Sequence, residues 1–220
     1  MEQTSWLKGI KWRNLFGEIA LIFVAINLSI WFNNWNNHRQ ASRQLRDALT
    51  HVREEVTNNL DELKITRQAN NRLVNAYLAY RPYFGGSSDT LHIPTPILDS
   101  LVGLYPTFYQ ITDSIRSTMG EWAYLGEVYI EMELPELNEI AWHTTRSLNL
   151  GKALSYDCLY LLESTYNKQE RAVAQINRAF AALQQGDAQQ MIRDLQIAEQ
   201  LNGQLMLAYE EVLNNLGSCE

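Results

Sequence analysis

Apolar and polar positions along this chain fall into separate regimes. Residues 15–32 are nearly unbroken apolar sequence, with Glu18, Asn27 and Ser29 as the interruptions. At helical rise this run covers about 27 Å, close to the roughly 30 Å hydrocarbon thickness of a bilayer, so it predicts one transmembrane crossing. From Leu45 the spacing changes: Leu45, Leu49, Val52, Val56, Leu60, Leu63, Leu73, Tyr77 and Tyr80 follow steps of three and four, one stripe of a long helix running from about 38 to 80. Leu159, Leu162, Tyr166, Val173, Ile176, Phe180 and Leu183 mark a second long helix, about 155–185. After Gly186 and a capping Asp187, Ile192, Leu195, Ala198, Leu205, Tyr209, Val212 and Leu216 mark a third, about 187–216. The two-residue break allows only an antiparallel hairpin, so the expected fold is mainly α: a membrane helix continuing into a long-helix antiparallel bundle.

The middle of the chain is mixed. Thr95-Pro96 predicts an N-cap and N1 proline for a short helix to Leu104, and Thr112-Asp113 a helix through Trp122 to Leu125. Residues 128–134 alternate apolar and polar with period two, a strand pattern ended by Pro135. Its candidate partners are 91–93 and 108–112, which gives at most a minor β pair. Gly85 and Gly86 open a turn, Leu137, Ile140, Ala141, Thr144 and Leu148 form another helical stripe, and the first long helix is expected to continue straight out of the apolar run, with residues 33–37 the place where any bend would fall, although no Pro or Gly enforces one.

These patterns divide the chain into a tail (1–14), an anchor (15–36) and one helical domain (37–220). Trp6, Trp12, Trp31 and Trp35 sit at the two ends of the apolar run, where an indole buries its ring and keeps its N–H wet. The anchor residues are therefore Trp12, Glu18, Asn27, Trp31 and Trp35. Glu18 is placed to reach headgroups, while Asn27 either bonds a carbonyl of its own helix or meets another helix. Bulky residues after the run argue against a cleaved signal peptide. Lys8, Lys11 and Arg13 before the run against Arg39, Arg43, Arg46 and Arg53 after it leave the orientation undecided by charge count. An N-terminus in the cytoplasm with a periplasmic body is the expected arrangement.

The sequence Gly17-Glu18-Ile19, an aliphatic run and then Asn33-Asn34-Trp35-Asn36 resembles the N-terminal signature of a family of small single-pass membrane proteins of Gram-negative bacteria, classed as a domain of unknown function. Ala141-Trp142 with Thr144, Leu154 with Tyr156-Asp157, and Tyr166 with Gln169 are similar to a second segment of that family. Asn27, Ser29 and Trp31 depart from its more uniformly aliphatic span. The resemblance implies an inner-membrane helical protein and brings no activity with it.

Net charge of −7 and a pI near 5.2 exclude a nucleic-acid binder in the usual sense. Mean hydropathy is −0.28, so the apolar run is a local feature of a polar chain. No Lys or Arg lies between Arg116 and Arg146, whereas Glu121, Glu127, Glu131, Glu133, Glu136 and Glu139 do, as expected of a solvated acidic face. Cys158 reads as a small buried hydrophobe, and Cys219 pairs only if the end of the chain folds back. His51 with Glu54 and Glu55, and Glu139 with His143, have ligand-compatible spacing but complete no metal motif. No nucleophile elbow or phosphate-binding glycine motif is present. Tyr77, Tyr80, Tyr83 and Phe84 are expected to fill core. No cofactor, metal or catalytic residue is expected. The partners expected are the lipid bilayer and a protein or a second copy of the chain. A non-catalytic scaffold or accessory subunit is the leading expectation, and a ligand-sensing module acting through a partner the alternative.

Overall fold

The computed structural model describes residues 12–85, 89–116 and 122–219, with residues 12–16, 18–20 and 38 described as backbone alone. Helix α1 (Trp12–Tyr80) is a single element of 69 residues, about 104 Å long. It passes through 33–37 without a break in its helical assignment, in keeping with the expected continuation of the membrane segment into the first long helix. No Pro or Gly lies between Gly17 and Tyr80, and the asparagines keep helical backbone. Among the described side chains of α1, the first that is buried is Leu45. The stretch before it projects from the body as an arm of about 50 Å.

Helices α4 (Tyr156–Gln184) and α5 (Ala188–Asn215) form the expected hairpin. Ser155 Oγ accepts the Cys158 N–H and Asp187 Oδ1 the Gln190 N–H, so each helix begins on a side-chain cap. Gly186 turns the chain between them at φ 75°, a conformation a glycine adopts without Cβ strain. Helix α5 lies between α1 and α4 and runs antiparallel to both. Arg53 reaches the Leu213 carbonyl, Arg67 pairs with Glu199, and Gln175 with Asp194. Helices α1 and α4 are therefore parallel, and Tyr166–Glu55 and Asn59–Gln169 hydrogen bonds span them.

The stripe on α4 is rotated from the expected one. Val173 is half-buried and Phe180 exposed, while Ala172, Ala179, Gln169 and Gln175 are buried. Small residues allow α5 to approach closely, and across the seam Gln175 donates to Asp194 while Gln169 accepts the Tyr209 hydroxyl. Two apolar clusters result. One joins Leu45 to Leu63 with Trp142, Leu162, Leu205 and Val212; the other joins Leu73 to Tyr80 with the sheet, Met191 and Leu195.

The middle segment corrects several expectations. The described parts of the expected helix, 112–116 and 122–125, are strand, and residues 117–121 lie outside the described residues: β2 (Tyr109–Arg116) and β3 (Trp122–Val128) pair antiparallel, and β1 (Thr90–His92) pairs with the other edge of β3. Both candidate partner segments thus supply a strand, in the order β1-β3-β2. The central strand is shifted from the expected 128–134, because the alternating residues after Val128 pack along α1 and not in the sheet. Gly126 sits where a Cβ would lie 2.3 Å from the Gln110 carbonyl and 2.8 Å from the Tyr109 ring, so that phenol crosses the sheet only over a glycine. Helix α2 (Thr95–Leu104) has the expected bounds, but Thr95 does not cap it. Its hydroxyl pairs instead with the Tyr124 hydroxyl at 2.6 Å. Helix α3 (Ile140–Ser147) then leads to α4.

Candidate functional site

Two features of the fold are candidates for function: the projecting arm, and the polar clasp by which α1 holds the segment 129–142. On the arm, Leu21, Ile22, Phe23, Val24, Ile26, Leu28, Ile30, Trp31 and Phe32 are all at least half exposed, with Leu21 at 72%. Apolar side chains face outward on every side, so no face of the arm packs on the body. Trp31 and Trp35 stack with ring centroids 6.3 Å apart, and the Arg39 guanidinium lies 4.0 Å from the Trp35 ring centroid.

Asn27 donates to the Phe23 carbonyl at 2.7 Å and Ser29 to the Ala25 carbonyl at 2.9 Å, so both polar side chains are satisfied within their own helix. Of the two readings of Asn27, the local bond is the one the structure forms. Trp12 opens α1 and Glu18 lies in its second turn, and the side chains of both are outside the described residues.

Among the described residues no helix is long and apolar enough to cross a membrane. The expected crossing over 15–32 is therefore not among the structure's findings. The run whose side chains are described, 21–32, rises about 18 Å and contains Asn27 and Ser29.

The clasp is built on one face of α1. Asn59 donates to the Asn138 carbonyl at 2.7 Å and accepts the Asn138 N–H at 2.8 Å; Asn70 does the same with Glu133, at 2.8 and 3.0 Å. Each amide side chain thus pairs with both backbone polar groups of one residue, as a neighbouring strand would. Eleven residues of helix rise about 16.5 Å, and the five residues from 133 to 138 span about the same when extended, so the two asparagines match the segment's register.

Glu55 turns inward beside them. Its carboxylate accepts the Ala141 and Trp142 N–H groups at 2.7 and 3.3 Å, capping α3 from another helix, and the Tyr166 hydroxyl at 2.6 Å. Burial, then the Glu55 hydrogen bond, raise the Tyr166 pKa well above the ordinary phenol value. Tyr209, buried and donating to Gln169 Oε1 at 2.7 Å, is raised by burial as well.

His51 pairs with Glu54 at 3.3 Å, since Glu55 is taken by the clasp. Glu139 and His143 line a small cleft of about 130 Å³ with Arg146 and Glu163, which pair at 3.3 Å. Among the described residues no three His, Cys, Asp or Glu side chains gather to hold a metal ion. Of the acidic run, Glu127, Glu131, Glu133, Glu136 and Glu139 are exposed, while the half-buried Ile130, Met132 and Leu137 face the body. Tyr80 is wholly buried, and its ring packs on Phe108 and Tyr109.

Cys158 and Cys219 form a disulfide with Cα atoms 5.5 Å apart. The last turn, Leu216–Ser218, folds back over the start of α4 and brings the sulfurs together. Of the open readings of the two cysteines, this is pairing through a returning end.

Clasp and disulfide were not legible as a site. Glu55 carried one available signal, since it lies next to Val56 on the buried stripe, where a charged side chain needs partners. Comparison with protein-family models, with curated proteins and with solved structures finds no match to this chain.

Proposed function

We propose that this protein is a non-catalytic interaction module held at a membrane by the arm of α1, with its helical body on the side away from the cytoplasm. The observation that carries the reading is the ring of outward apolar side chains from Leu21 to Phe32, bounded by stacked Trp31 and Trp35, on a helix that makes no contact with the body there. Contiguous exposed apolar surface of this kind marks a membrane or protein contact, and indoles at its end favour a lipid interface. In this reading the residues preceding Leu21 complete the crossing. Its resemblance to an uncharacterised family of bacterial single-pass proteins points the same way.

The disulfide bears on the side. Disulfides persist in oxidising compartments such as the bacterial periplasm and are rare in the cytosol. Three basic residues before the run against four after it decide nothing, so the Cys158–Cys219 bond supplies the argument for a body outside the cytoplasm. The mechanism is positional. Confinement to two dimensions raises the effective concentration of a weakly held partner without any new contact.

The test is fractionation of native membranes, followed by thiol labelling from outside. The body should stay with the membrane through alkaline carbonate and leave only with detergent, and its cysteines should label only after reduction. Recovery of the full chain in the buffer-soluble fraction sinks the proposal.

One observation favours a sensing module as second reading. A depression of about 550 Å³ lies between α1 and α3, walled by Ala48, Ile140, Ala141 and Leu148 with His51 and Glu54 at its rim, directly below the arm. A ligand seated there would touch the helix that continues into the membrane. A melting shift with an apolar compound, absent in a variant carrying Ala141→Trp, supports sensing; no shift across a compound panel removes it.

A further inference from the structure

We propose that Trp35, Arg39 and Arg43 form a headgroup-binding step on α1 that selects anionic phospholipids. This inference rests on the membrane reading above and names the lipid class it prefers. The charge distribution is the first observation. The chain carries 25 acidic residues and a net charge of −7, yet no Asp or Glu occurs between Glu18 and Asp47, while Arg39, Arg43 and Arg46 do. At 100° per residue these three arginines and Trp35 fall within one quadrant of the helix. The stripe therefore faces one way, and the first carboxylate beyond it is Asp47, four residues after Arg43 and further from the apolar run.

Depth is the second observation. Helical side chains lean toward the N-terminus of their helix, here toward the apolar run. Arg39 does so, and its guanidinium carbon lies over the Trp35 ring, 4.0 Å from the centroid. The charge is thereby held near the level of Trp35, about 4.5 Å beyond the last apolar residue, Phe32. Headgroups occupy roughly 5–8 Å beyond the hydrocarbon on each side, so this is the depth of lipid phosphates. Arg43 is exposed and one turn further, about 6 Å along the axis, within reach of the same layer by its own backward lean.

Stacking also fits the chemistry of the ligand. A guanidinium held over an indole face by its carbon leaves N–H groups free to donate to phosphate oxygens, while the ring occupies the interface beneath it. A lysine at the same position carries the charge without the planar donor edge.

The partition of the full-length protein from dilute detergent into two vesicle types tests this, with phosphatidylcholine alone compared with phosphatidylcholine and phosphatidylglycerol at 7:3. Each basic residue near an anionic surface contributes a factor of about five in binding, so two arginines give a preference of roughly 30-fold for the mixed vesicles at low salt. The double variant Arg39→Gln/Arg43→Gln should bring that preference close to unity while leaving partition into pure phosphatidylcholine unchanged. Arg39→Lys should retain the preference only in part. Helix content by circular dichroism confirms that these exposed substitutions leave the fold intact. Equal partition of the wild-type chain into both vesicle types overturns the inference, as does a double variant with undiminished preference. Loss of the preference in sodium phosphate but not in sodium chloride of equal ionic strength also overturns it, because the site then takes free phosphate. A chain that enters neither vesicle type, or dimerises through the arm in their place, refutes the membrane reading itself.

Discussion

Removing the Cys158–Cys219 bond should lower the stability of the body by several kcal/mol without altering its fold. The two cysteines are 61 positions apart, so the bond closes a large loop in the unfolded chain. Chain-entropy arithmetic for a loop of that length gives about 14 cal/mol/K, or roughly 4 kcal/mol at 25 °C. The location strengthens the case. The hairpin of α4 and α5 is already closed at one end by the Gly186 turn, and the disulfide fastens the opposite end, where the helices would otherwise fray. Both cysteines are 4% exposed, so reduction leaves two thiols in an apolar site at little further cost. For a domain of this size about 4 kcal/mol corresponds to a fall in melting temperature of roughly 8–16 °C. The assay is thermal unfolding of the detergent-solubilised chain by circular dichroism, oxidised against reduced, alongside Cys158→Ala/Cys219→Ala. The reduced chain and the double variant should melt together, well below the oxidised chain. If all three melt within about 2 °C of one another, the bond does not constrain the body and the reasoning fails. A free-thiol count near two on the untreated, unfolded protein would refute it earlier.

Glu55→Ala leaves the Tyr166 hydroxyl and two N–H groups of α3 unpaired, and should destabilise the body by about 2–4 kcal/mol, measured by urea unfolding; Glu55→Gln should cost less, since it keeps an acceptor. Tyr109, held between the Asp89 and Tyr124 carbonyls, has its pKa pushed up to about 12, first by burial. Its contribution is complete below the unfolded value of about 10 and is lost as pH rises toward 12, because the unfolded phenol ionises first. Denaturant midpoints should therefore fall between pH 10 and 12, and Tyr109→Phe should flatten that fall; a flat wild-type profile contradicts the assignment. Leu205→Asp places a charge at a position with no solvent exposure and should unfold the body while the chain remains with the membrane; its release into buffer would show that the body, and not the arm, does the anchoring.

The long elements were legible because helix formation over thirty or more residues is dominated by one periodic signal. Leu45 to Leu63 and Ile192 to Val212 are buried on the stripes their spacing predicts. The α4 stripe was misplaced by the rule that seams are lined by large apolar residues. Close approach put Ala172, Ala179 and two glutamines inside and left Phe180 out. The sheet was harder still, since β2 exposes seven of its eight residues and carries no alternating burial to read. Residues 129–133 do alternate between exposed and half-buried, but the alternation records packing on the body beside α1 and not a place in the sheet. Period two is a property of extended backbone, and it does not say whether the neighbour is a strand or the side-chain amides of Asn59 and Asn70. The clasp rests on pairs 63 to 111 positions apart, which no local pattern contains.

The arm and the body are linked by the least self-sufficient part of α1. Residues 33–44 include four asparagines, which favour helix weakly, and no side chain described there is buried. In isolation so short a segment would be a marginal helix, because nucleation is costly and propagation adds little per residue. Here nucleation is supplied from the body, where Leu45 to Tyr80 is fixed by two apolar clusters and the clasp. In the membrane reading it is supplied again from the lipid side, where backbone groups must pair internally. A helix held at both ends needs only propagation between them, so a polar linker of modest propensity remains continuous over about 20 Å. Continuity fixes the rotational relation of the two ends. The face that carries Trp35, Arg39 and Arg43 is thereby set relative to the face that carries Glu55, Asn59 and Asn70, and the depth and azimuth of the body follow from where the arm sits.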